Sequence, residues 1–241
     1  METKYIKFDY DKSSERMDKI IQESDNSFEE LNEIPSRSAL TFTNGYYVNC
    51  SALFVDIRGS SELPNKHTRP KLAKLYRVYI SEIVALINSY IECSEVNIAG
   101  DCVWGVFNTP NKSDINSVFS CAYSIASLIN IMNYKFNKKG IEKITIGIGM
   151  AYGRALMIKA GYSGSTINDI VWMGDVVNEA SKLCSYGNKT WSERQIMVQY
   201  DFYSNLNEHN QKLLEWNSSH SCYHGNVINT TMENWYNENC K

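Results

Sequence analysis

Two aspartates stand where a protein presents carboxylates for chemistry. Asp56 closes the nearly unbroken apolar run that holds Val48, Leu53, Phe54 and Val55, and Asp101 follows Gly100 between two short strand-like segments, Ser94 to Ile98 and Cys102 to Phe107. Strand ends and hairpin tips are places where loops gather. A Mg²⁺ or Mn²⁺ ion that already carries phosphate oxygens and water needs only one or two such carboxylates from the protein. An isolated Gly-Asp pair also serves as an ordinary turn, so neither residue is decisive by itself. After Asp56 come Ile57, Arg58, Gly59, Ser60 and Ser61, a loop of small residues with one cation. Such a loop could offer N–H groups to a phosphate, or simply cap a turn. In Gly174-Asp175-Val176-Val177-Asn178-Glu179-Ala180-Ser181-Lys182-Leu183, Asn178 and Lys182 are four apart and share one face of a helix. One suits a sugar and the other a phosphate, although Asn and Lys are also what a solvated helix face carries.

The elements that must position these residues follow from periodicity. Tyr47 to Ile57 reads as a strand buried on both faces. Leu72, Leu75, Tyr76, Tyr79, Ile80, Ile83, Val84 and Ile87 recur at helical spacing, as do Ile115, Val118, Ala122, Ile125, Leu128, Ile129 and Met132 in a helix that Asp114 caps. Lys143 to Met150 is a strand, Gly149 to Ile158 a bend and another strand, and Ile170 to Met173 a short one. Val176 to Tyr186 is a helix ending at Gly187, followed by a strand over Gln195 to Tyr200 and a helix near Phe202 to Trp216. Residues 10–33, polar and acidic, predict a helical extension that ends before Pro35. The predicted organisation is a 1–45 N-terminal helical extension and a 46–241 domain. Its fold class is α+β, an antiparallel or mixed sheet with helices over one face.

The 241 residues carry 43% hydrophobic and 21% charged side chains and a net charge of −3, which argues for a folded core and against a polyanion such as nucleic acid as partner. Seven cysteines without a Cys-x-x-Cys pair fit neither a disulfide framework nor a zinc site. The first ten residues lack a signal-peptide pattern and no stretch reads as a membrane span, so a cytoplasmic protein with no direct membrane insertion is expected.

Taken together, four segments in order carry a resemblance. Ala52 to Gly59, Ala99-Gly100-Asp101, Ile146 to Gly153 and Gly174 to Leu183 resemble the two metal motifs, the central strand and the Gly-Asp-x-Val-Asn-x-Ala-Ser-Arg helix of class III nucleotide cyclases, over about residues 47–200. The resemblance implies a ferredoxin-like core and a homodimer with shared active sites. Two divalent ions, Mg or Mn, would sit on Asp56, Asp101 and the Ile57 carbonyl of one chain, with Asn178 and Lys182 supplied by the other. The substrate would be a nucleoside triphosphate, closed to its 3',5'-cyclic monophosphate with loss of pyrophosphate, and Arg58, Gly59, Ser60 and Ser61 would line its phosphates.

The chain departs from the family pattern at several points. Lys182 replaces the family's Arg, Ser60 replaces a usual Phe, and the C-terminal Lys that grips the triphosphate has no clear counterpart, His224-Gly225 being the nearest fragment and Arg154 or Lys159 the available substitutes. At the two base-reading positions stand Asn97 and Val171, neither the Lys and Asp of adenylate cyclases nor the Glu and Cys of guanylate cyclases. That loss resembles the pyrimidine cyclases of bacterial anti-phage defence, which imply cyclic CMP or cyclic UMP as product and a separate cyclic-nucleotide-responsive effector. Asn97 can donate or accept, so CTP and UTP both remain open. The alternatives are an adenylate or guanylate cyclase, and a degenerate nucleotide-binding sensor.

Overall fold

The computed structural model describes residues 3–241. In chain order the elements are α1 (Tyr10–Ile21), β1 (Phe28–Leu31), β2 (Gly45–Ile57), α2 (Leu63–Lys66), α3 (Arg69–Asn88), β3 (Cys93–Ala99), β4 (Cys102–Asn108), α4 (Lys112–Asn137), β5 (Ile146–Gly161), β6 (Asn168–Met173), α5 (Asp175–Tyr186), β7 (Ile196–Val198), α6 (Tyr200–Asn205), α7 (Glu208–Gln211), β8 (Glu215–Asn217), β9 (Cys222–Gly225) and α8 (Thr230–Asn239). The strands form one sheet in the order β3-β4-β2-β5-β7-β9-β8, with β1 added to β2 and β6 to β5. All pairs are antiparallel except β1 with β2 and β5 with β7.

Period-two alternation along β2 divides the core. Leu53, Val55 and Ile57 face α3 and α4 and pack with Leu75, Tyr79, Ile83, Val118, Ile125 and Ile129. Cys50, Ala52 and Phe54 point the other way and pack with Val176, Ala180 and Cys184 of α5. Helices therefore cover both faces, not one as the element order suggested, because a strand apolar on both sides must bury both. α4 is long and apolar enough to cross a membrane by length and composition alone. Its apolar side chains are buried against the sheet and α3.

Several elements differ from expectation. The N-terminal helix spans only Tyr10–Ile21, and Phe28–Leu31 is instead a strand paired with β2, so the segment before residue 46 is joined to the sheet. Asn111, not Asp114, is the cap of α4; Asp114 stands three residues on and accepts from the Asn111 backbone N–H at 2.9 Å, one half of a capping box. The two strands expected between residues 143 and 158 are one 16-residue strand, β5. The expected helix near Phe202 to Trp216 is two short helices followed by β8, whose ladder to β9 overrides the local pattern.

α5 lies close to β5 because the strand carries glycine at 147 and 149 and only the small Ala151 on the face beneath the helix. A Cβ on Gly149 would lie 2.1 Å from both the Ala180 carbonyl and the Cys184 amide nitrogen, and one on Gly147 2.4 Å from the Cys184 carbonyl. The Cys184 thiol donates to the Gly147 carbonyl at 3.2 Å. Gly149→Ala must push helix backbone away and is expected to cost ~3 kcal/mol or more in urea denaturation. Gly153→Ala, whose Cβ would meet its nearest neighbour at 3.8 Å, is expected to stay within about 1 kcal/mol of wild type.

Candidate active site

Asp56 is the last but one residue of β2 and pairs with Gly147, so its side chain emerges on the α5 side of the sheet beside the C-terminal turn of that helix. Gly100, at φ +66°, closes the β3–β4 hairpin in the left-handed conformation that glycine adopts without cost and carries Asp101 to its tip. The two carboxylates feel each other. Desolvation, and next the charge on Asp101, raise the Asp56 pKa above its ordinary value, and Arg58 only partly offsets them. Asp101 Oδ2 is buried without a hydrogen-bond partner.

Two mutually repelling carboxylates, one with an orphaned oxygen, form a donor set that a divalent cation satisfies. No group of three or more His, Cys, Asp or Glu side chains suited to a metal occurs among the described residues. Further ligands must then be phosphate, water or backbone, as suits Mg²⁺ or Mn²⁺. Cys102 lies beside both aspartates; burial first, and then those charges, push its thiol up to about 12, which keeps it protonated at neutral pH.

Arg58 turns inward: its Nη2 donates to Asp56 Oδ2 at 2.6 Å and its Nη1 to the Ser185 carbonyl at 3.0 Å. It acts here as the counter-charge of Asp56 and as a tie to α5. The Ile57 side chain is buried in the core, which leaves its backbone alone to face the site. Gly59 precedes a single 3-10 turn formed by Ser60–Glu62, with Ser61 exposed and the Ser60 carbonyl accepting from the Tyr76 hydroxyl at 3.4 Å.

Asn178 and Lys182 are exposed on α5. Lys182 pairs with Glu179 at 3.7 Å, and both act electrostatically on Cys222 of β9, which places them toward β7 and β9. Asp56 and Asp101 lie toward β4. One chain therefore brings the two aspartates together, but it leans Lys182 toward β7 and β9 and leaves Asn178 exposed on α5. The other side chains considered are engaged: Arg154 pairs with Glu30 at 2.9 Å and lies over the Tyr47 ring, Lys159 lies over Phe42, and His224 is buried between Asn217 and Glu215.

Asn97 pairs with Trp104, which pairs with Phe54, so all three share the α5 side of the sheet. The Phe54 and Trp104 rings stack at 4.9 Å. Asn97 Nδ2 is buried with no partner. Val171 pairs with Ile158 and shares its side of β6 with Asp169. Three residues outside the sequence-derived site join this region. Arg37 Nη1 lies 3.3 Å from Glu95 Oε2, and its Nη2 donates to Asp169. Period-two spacing from Asn97 could have singled out Glu95, whereas nothing local marks Arg37, whose partners are remote in sequence.

Because its folded pKa is raised, ionised Asp56 destabilises the fold as the pH rises through that value, and the neutral form holds its stability below the ordinary carboxylate range. Asp56→Asn should remove that dependence without lowering the melting temperature in metal-free buffer. Mn²⁺ at about a hundred times its Kd should stabilise wild type by ~2.7 kcal/mol, and should leave Asp56→Asn and Asp101→Asn unshifted in thermal melts.

Residues 43–232 match the adenylate and guanylate cyclase catalytic domain. A uridylate cyclase of Gulbenkiania mobilis is 41% identical over a gapped alignment of 258 positions, which covers 99% of this chain and 100% of that protein. A uridylate cyclase of Treponema porcinum is 37% identical, with 97% of this chain and 82% of the relative covered. Among solved structures, adenylyl cyclase CyaB from P. aeruginosa superposes with a TM-score of 0.61 at 24% identity, covering 71% of this chain and 85% of that one. A class III adenylyl cyclase-like ATP-binding protein from Pseudomonas aeruginosa gives a TM-score of 0.71 at 18% identity, covering 93% of this chain and 48% of that one. The structural likenesses concern the fold; the domain match and the near full-length relatives establish that the chain belongs to the class III nucleotide cyclase family.

Proposed function

We propose that this protein is a uridylate cyclase, which converts UTP to 3',5'-cyclic UMP and pyrophosphate. The observation that carries the reading is 41% identity over essentially the full length of a protein named for that activity. The base-reading positions support it. Asn97 and Val171 reproduce neither purine pair, and a site built to hydrogen-bond one base rejects another strongly when its polar groups go unmatched. Asn97 Nδ2, buried and unpartnered, is a donor suited to a uracil carbonyl. The residues alone leave CTP open, and the relatives' names favour UTP.

The reaction forms a bond from the ribose O3' to the α-phosphorus, breaks the bond from that phosphorus to the bridging oxygen, and releases the O3' proton and pyrophosphate. Asp56, Asp101 and the Ile57 carbonyl would hold two divalent ions, which when bound supply Lewis acidity at the phosphates and at the 3'-hydroxyl. Arg58 balances the charge of Asp56 until then. Asn178 of the partner subunit orients the ribose. Lys182 of the partner subunit opposes the negative charge that grows on the α-phosphate, with a point charge where the family's Arg would give a fork. A twofold homodimer then has two equivalent sites. The product serves as a cytoplasmic second messenger in anti-phage defence, read by a separate effector protein.

Purified protein incubated with Mn²⁺ and each of ATP, GTP, CTP and UTP in turn, with products identified by mass, is expected to yield cyclic UMP as the dominant cyclic nucleotide. Dominant cyclic CMP would keep the pyrimidine reading and overturn the choice of uracil. Dominant cyclic AMP or cyclic GMP would overturn both, and no product from any of the four would favour a sensor domain.

A further inference from the structure

β3 and β6, which carry the two base-reading positions, are separated in the sheet by β4, β2 and β5. In a flat sheet, strands four places apart would lie about 19 Å from one another. Yet one guanidinium reaches both. Arg37 Nη1 is 3.3 Å from Glu95 Oε2 on β3, and Nη2 donates to Asp169 Oδ1 on β6. The arm formed by the end of β5 and β6 must therefore curl over the α5 side of the sheet, and Arg37 closes it.

The anchors are not arbitrary positions. Glu95 lies two residues before Asn97 and Asp169 two residues before Val171, one strand repeat in each case, so each anchor shares a strand face with a base-reading residue. Glu95 is only 6% exposed at its side chain, and its Oε2 has the Arg37 charge nearby but no hydrogen bond of good geometry. A carboxylate buried this far depends on its counter-charge. Arg37 comes from the segment between β1 and β2, which is itself tied down: the Ile34 N–H donates to Asn108 Oδ1 at 3.0 Å, and Leu40 is buried in the core on the α5 side.

We propose that Arg37 is a positioning residue for base selection: by clasping Glu95 to Asp169 it holds β3 and β6 at a separation suited to a single-ring base and sets the Asn97 amide toward that base. The proposal rests on the UTP reading above. Arg37 does not touch the reacting atoms. Its loss frees β6 from β3, so the effect falls on which base is accepted and on KM, while the chemistry at Asp56 and Asp101 continues.

The test compares wild type with Arg37→Ala, Arg37→Lys and Asp169→Ala, measuring kcat and KM for UTP, CTP, GTP and ATP alongside thermal melts. Asp169→Ala cuts one arm of the clasp and leaves Glu95 its counter-charge, which guards against a variant that merely unfolds. Arg37→Ala and Asp169→Ala are expected to raise KM for UTP at least tenfold with kcat changed less than threefold, and to raise purine turnover relative to UTP at least tenfold. Arg37→Lys, with one charge but no fork, should fall between. An unchanged preference among the four bases, or an equal fall for all of them, would overturn the clasp. A wild-type enzyme that makes no cyclic UMP would instead overturn the substrate reading beneath it.

Discussion

The site depends on one close approach, that of α5 to β5. Gly147 and Gly149 leave the strand bare under the helix, and Gly187 lets the chain leave the helix against the strand. A methyl group at any of the three would meet backbone, not a side chain that could swing aside. With the helix lying flat, the Ser185 carbonyl comes within reach of Arg58, and Arg58 in turn holds Asp56. The same placement leaves Asn178 and Lys182 exposed on the helix. A packing requirement in the core thereby fixes which polar groups one chain gathers and which it leaves exposed.

Within that frame the aspartate pair is costly to the fold. Asp56 is only partly exposed, faces a second carboxylate, and has its ionised form disfavoured despite the adjacent arginine. A protein selected for stability alone would have little use for an unpaired buried oxygen on Asp101. Such strain is expected where a bound cation and phosphate oxygens complete the balance. The Asn97 amide nitrogen is a second buried polar atom without a partner, a donor where Asp101 leaves an acceptor.

Much of this was legible in the sequence, for physical reasons that also explain the gaps. The apolar run of β2, the Gly-Asp turn and the helical spacing of α3 and α4 are local signals, and each element formed where its pattern pointed. Asp56 and Asp101 inherit their positions from those elements. Phe28–Leu31 carries no alternation and is largely exposed, so only its pairing with β2 makes it a strand. Glu215–Asn217 likewise owes its state to β9. Gly187 ends α5 as a terminal glycine should, yet its φ of −55° suits any residue, and the need for glycine comes from the Gln195 carbonyl, 2.6 Å from where a Cβ would stand. Arg58 reads as a phosphate ligand in sequence and is an internal counter-charge in the fold. Arg37, whose partners lie on two distant strands, leaves no trace in any local pattern.

The central claim is that a complete site needs two copies of this chain, one giving Asp56 and Asp101 and the other Asn178 and Lys182. It is tested most directly by mixing two inactive variants, Asp56→Ala and Lys182→Ala, after confirming subunit exchange by native mass spectrometry of differently tagged chains. Each heterodimer then holds one intact site and one doubly damaged site, so an equimolar mixture should recover about a quarter of wild-type cyclic nucleotide production. Confirmed heterodimers that stay as inactive as either parent would contradict the shared site.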